Sequence, residues 1–156
     1  MALAGCAAAD VRTFPTIASA QTMLDTLLKT PYRTTAGWKL PAVLEHAAQS
    51  VEYSLSGFPE VKSAAFRATA GTVAFAVFEA KGSMNHSLTD PIPGAPVLGE
   101  PPLDQAVARL KQALRDFEAH RGSLALHFAY GALDHAQYTR AHLMHLANHW
   151  ADVVQA

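Results

Sequence analysis

The stretch "DQAVARLKQALRDFEAH", Asp104 to His120, decides the class of fold. Ala106, Val107, Leu110, Ala113, Leu114 and Phe117 recur at helical spacing, with Lys and Arg turned outward, so this is an amphipathic helix needing an apolar partner. The rest of the chain supplies such partners. In "TIASAQTMLDTLLK", Thr16 to Lys29, Ile17, Ala20, Leu24, Leu27 and Leu28 lie near one face behind Pro15. A second helix starts near Lys39, tolerates Pro41 in its first turn and stops at "SGFP" around Gly57. Its stripe is Leu40, Val43, Leu44, Ala47, Val51 and Leu55, with Glu45 and Glu52 on the outer face.

"SAAFRATAGTVAFAVFEAKG" reads as a third helix, capped by Ser63 and stopped by Gly82. Its "VAFAVF" has strand propensity, but length and alanine content favour helix. The segment from Gly82 to Pro102 holds five prolines, at 91, 93, 96, 101 and 102, and forms a long ordered loop or a lid. Gly122 to Leu133 is a connector, after which Asp134 caps a last helix running to about Val154. Five helices and no strand pattern give an all-α bundle with one short extra helix and long loops.

At 156 residues the chain is one domain, assigned to residues 11–156. Half of it is apolar and only 16% charged, so it buries much of its surface. Lys plus Arg number 12 against 13 acids without a basic stripe, which removes the electrostatic basis for a nucleic-acid partner. No apolar run is long enough to span a membrane. Cys6 is the only cysteine, so metal chemistry here falls to the eight histidines. Residues 1–10 stand apart as a leader remnant or disordered terminus. "LAGC", Leu3 to Cys6, looks like a lipobox but lacks the basic and apolar segments that should precede it. The chain is therefore cytoplasmic or, if the lipobox is genuine, exported and lipid-anchored.

The last helix contains "AHLMHLANHW", Ala141 to Trp150, which has three histidines and no charge. His142, His145 and His149 fall within about 60° of one another, with Tyr138 one turn earlier. Leu143, Leu146, Ala147, Trp150 and Val154 form the apolar stripe, so the histidine side is either a solvated face or a second buried face. A helix without charge all round is usually buried all round, and each buried imidazole then needs a hydrogen-bond partner or a metal. His145 and His149, at i and i+4, can place two ring nitrogens on one ion. A structural ladder and a metal site both satisfy this pattern. For a metal site the third ligand must come from another helix, and His46, flanking the stripe of helix two, is the candidate. His86, His120, His127 and His135 have no helical partner arrangement and read as background.

"WKLPAVLEHAAQSVEYSLSGFPEVKS" followed by "LHFAYGALDHAQYTRAHLMHLANHW" resembles the DinB-like superfamily of metalloenzymes. The blocks "AQSVEYSLSGFP", "PIPGAP" and "HFAYGALD" resemble a bacterial branch of it whose function is unknown. The similarity covers Trp38 to the end. It implies a four-helix bundle of up-down-down-up topology, with a divalent metal held by His46, His145 and His149. Proteins of that superfamily often form homodimers, which leaves the oligomeric state of this chain open.

Three neutral imidazoles leave an ion its full charge and an open position, the pattern of a catalytic rather than a closed site. Zinc or nickel leads the candidate metals. One hypothesis is a metal-dependent enzyme acting on a small molecule, as a thiol S-transferase using a low-molecular-weight thiol or as a hydrolase. The other is a non-catalytic metal- or ligand-binding helical protein. His142 is the candidate acid–base residue, and Tyr53, Tyr138 and Asn148 are polar groups to look for around the ion. "NHSLTDPIPGAP" is a lid or a structural strap. Protons compete for imidazole nitrogens, so metal affinity is expected to fall as pH drops through about 6.5.

Overall fold

The fold begins where the sequence places its caps. In the computed structural model, which describes residues 14–156, Thr16 closes a capping box with Ser19 and opens α1, Ile17–Thr26. Pro41 sits in the first turn of α2, Leu40–Ser56, where its missing N–H costs no hydrogen bond. α5, Leu103–Ala119, buries all six residues of its stripe. Asp134 and Gln137 form a second capping box that starts α6, His135–Trp150. These four helices share one core, in which Leu24, Leu44, Val107, Leu110, Phe117 and Tyr138 are fully enclosed. The helical class read from the sequence holds.

α6 ends earlier than expected. The chain turns after Trp150, and Val153–Gln155 forms β2, antiparallel to β1, Tyr32–Thr34, with Thr34 opposite Val153 and Tyr32 opposite Gln155. Asp152 explains the turn. Its buried carboxylate accepts the N–H groups of Thr35 and Ala36, at 3.2 and 2.9 Å, and the Thr35 hydroxyl. A strand of three residues is too short to show a period, so the sequence carried no sign of this sheet.

The third helix is also reorganised. Ser63 caps α3, Ala64–Phe66, which passes through a π-helical turn at Arg67–Gly71 into α4, Thr72–Lys81. The Thr72 hydroxyl donates to the Arg67 carbonyl at 2.7 Å within the widened turn. Gly82, at φ 66°, stops the helix in the left-handed conformation. This rod lies against the connector and sends Phe75 into the shared core. Phe75 is buried beneath Tyr130, while Phe66, Val73 and Val77 are exposed. Gly71 permits the approach, because a Cβ there would stand 1.9 Å from the Ala129 carbonyl oxygen.

Glu45 and Glu52 do not face solvent freely. Arg109 of α5 reaches across and donates to both Glu52 oxygens, at 2.9 and 2.7 Å, and to Glu45. Helices α2 and α5 pack closely enough for the long guanidinium to span their flanks. Among the described residues, no helix is long and apolar enough to cross a membrane. The "LAGC" motif lies outside the described residues.

Candidate metal centre

Both sides of α6 are buried: Leu143, Met144 and Leu146 on one, Tyr138, His142 and His149 on the other. The solvated-face alternative is thereby excluded. α2 brings His46, itself buried, to the same place. Its Nε2 stands 3.1 Å from His145 Nε2. His46, His145 and His149 each offer a ring nitrogen, and the three atoms lie within 4.8 Å of one another. The ring centroids are 4.8 to 5.0 Å apart and the planes steeply inclined, so the rings point inward rather than stack.

The electrostatics favour the form that binds metal. Burial, helped by neighbouring imidazoles, pushes His46 down to about 4 and His149 to about 3, and holds His145 well below its ordinary value. All three are therefore neutral at pH 7, with lone pairs available. His46 Nδ1 and His149 Nε2 are buried without a hydrogen-bond partner among the described residues. A packed core rarely leaves two imidazole nitrogens so. Converging neutral donors with an unpaired nitrogen fit a divalent ion of the zinc type, and this cluster could hold one.

His142 faces the same region but has a different partner. Ser54 spends its one hydroxyl proton on the Val51 carbonyl at 2.6 Å, so it can only accept from His142 Nε2 at 3.1 Å. The ring stacks on Tyr138 at 5.3 Å and meets Phe117 edge-on. Burial lowers its pKa to about 3. Tyr138 gives its own proton to the Ala125 carbonyl at 2.9 Å, and burial raises its pKa. Asn148 Nδ2 donates to the His86 carbonyl at 3.2 Å. Tyr53 packs on Phe58, away from the three rings.

A cavity of about 310 Å³ opens beside the cluster, lined by His46, His145 and His142 and by Ile92, Phe128 and Tyr130. The loop residues Asp90 to Pro93 form one wall, so the "NHSLTDPIPGAP" segment does close over this end of the helices. Lys62 is the one cationic lining residue.

Two participants escaped the sequence reading. Trp38 lies on the rings, 5.0 Å from His46 and stacked near-parallel to His149 at 6.3 Å. It is held there by the β1–β2 sheet and the Asp152 turn just before it. His86, set aside as background, packs against both His145 and His149. The signal was faint: Trp38 opens the resembling block, and His86 stands just before its proline-rich part. The remaining three histidines are structural. His127 Nδ1 accepts the Ala129 and Tyr130 N–H groups, both at 3.1 Å, while His120 and His135 bond the carbonyls of Ser123 and Phe117.

A search of the curated proteins and one of the solved structures returned no match. The sequence profile described as "Protein of unknown function (DUF1569)" matches residues 9–156, and the chain therefore belongs to that family.

Proposed function

We propose that this chain is a metal-dependent enzyme acting on a small molecule, with His46, His145 and His149 as the ligands of a divalent ion, zinc or nickel. The carrying observation is that three neutral imidazoles from two helices bring ring nitrogens within 4.8 Å of one another, with His46 and His145 at the wall of a cavity. The packing of α1, α2, α5 and α6 supports a DinB-like four-helix bundle of up-down-down-up topology, and the exposed Phe66, Val73 and Val77 offer a face for a homodimer.

When bound, the ion supplies a Lewis acid that activates a coordinated water or thiol near neutral pH. The protein's own residues do the rest. Ile92, Phe128 and Tyr130 shape a chamber suited to a compact, partly apolar substrate, and Trp38 covers the His46 and His149 rings. Lys62 and Asp90 both stand at the cavity wall, so the lining selects no sign of charge on that substrate. An acid–base role for His142 falls to Nδ1, since Nε2 is committed to Ser54. Transfer of a low-molecular-weight thiol and hydrolysis are the two reactions this arrangement suits. A non-catalytic metal-binding domain is the second reading, favoured by the fourth imidazole packed against the cluster.

Metal analysis of protein purified without chelators or a nickel column tests the proposal. About one divalent ion per chain is expected. His46→Ala, His145→Ala and His149→Ala should each lose most of it while far-UV circular dichroism stays helical. Full retention of metal in the His46→Ala, His145→Ala double variant would overturn the site. Metal-dependent turnover of thiol-transfer or ester substrates separates the enzyme from the binding domain.

A further inference from the structure

His86 lies on the loop between α4 and α5, and its surroundings match those of a metal ligand. The ring centroid is 4.9 Å from His145 and 5.3 Å from His149, nearly the spacing of the three clustered rings. Nδ1 is 2.7 Å from the Ser87 carbonyl, which can only accept, so the proton of the neutral ring resides on Nδ1. Nε2 is left with its lone pair, and it is buried with no partner among the described residues. A ligating histidine commonly has this arrangement, one nitrogen donating to a carbonyl and the other free for the ion. Asn148, the neighbour of His149, tethers the loop by donating to the His86 carbonyl at 3.2 Å.

We propose that His86 is a fourth, displaceable metal ligand, which the loop supplies to the coordination position left open by His46, His145 and His149. This rests on the three-histidine cluster being a metal site. Displacement follows from where the residue is built. The other three are fixed on helices, whereas His86 stands on a proline-rich loop and is not among the three whose nitrogens lie within 4.8 Å of one another. The same loop forms a wall of the cavity, so an incoming donor atom meets His86 as it approaches the ion. The resting site is closed, and a thiol or similar donor opens it by taking the place of one imidazole.

X-ray absorption on the zinc-loaded full chain counts the imidazoles directly. The wild type should show four, and His86→Ala three with an added oxygen. Zinc affinity of the variant should fall by about ten- to hundredfold. Adding 2-mercaptoethanol to the wild type should introduce one sulfur and remove one imidazole. Three imidazoles in both proteins would overturn the proposal while leaving the three-histidine site intact. Sulfur binding with all four imidazoles retained would overturn displacement. No zinc uptake by the wild type would sink the underlying site as well.

Discussion

For each histidine ring, the partner of its two nitrogens decides its work. His142 and Ser54 form a buried pair in which the serine has no proton left to give. His142→Ala should therefore leave a void and take from the Ser54 oxygen the one bond it accepts, lowering stability by about 2–4 kcal/mol in urea denaturation. Bound metal should be unchanged, because His142 stands outside the converging three. Loss of the ion in this variant would mean that the ligand set is wrong. Gly71→Ala should push a methyl group into the Ala129 carbonyl and cost about 1–3 kcal/mol, read by thermal melting, again without loss of metal. The i, i+4 pair His145 and His149 was legible because both rings ride one helix and spacing alone fixes their geometry. His46 could be named as a candidate because it flanks a clear stripe. His86 was not legible: its place depends on the path of a loop, and no periodicity encodes that path.

The elements read from apolar periodicity were those with a stripe to bury, and α5 with its six-residue stripe is the plainest case. The rod formed by α3 and α4 could be read as helical but not placed, because alanine and valine surround it on all sides and its pattern could not say which side faced inward. Charged flanks were equally ambiguous, since solvent and an opposite charge on a neighbouring helix suit a glutamate alike. The Arg109 bridge to Glu45 and Glu52 shows which applies here. Because Arg109 and Glu52 are partly exposed, Arg109→Met should reduce stability by only about 1 kcal/mol, and high salt should shrink the difference. A loss several times larger in a double-mutant cycle with Glu45→Gln would mark the bridge as a buried pair instead.

Across the whole molecule, buried neutral histidines tie stability to pH. Burial takes His127 and His142 down to about 3 and His46 to about 4, whereas all three titrate near 6.5 when unfolded. The unfolded chain thus binds more protons between those values, and stability rises with pH across that window. Thermal melts of metal-free protein should be flat above pH 6.5 and fall steadily below it, by about 1.4 kcal/mol per pH unit for each such ring. The same burial shifts the expected acid release of metal: protons should compete for His46 only near pH 4, not 6.5, which an equilibrium dialysis series would show. The linear distance between the ligands has a further consequence. His46 and His145 are 99 residues apart, yet α2 meets α5 well before α6 exists on a growing chain. During synthesis the first two can dock through their glutamate–arginine bridge, while the place for the ion has His46 and the loop's His86 but neither imidazole of α6. Loading must therefore wait for α6, and a nascent chain stalled before it should emerge helical but unable to retain a cation.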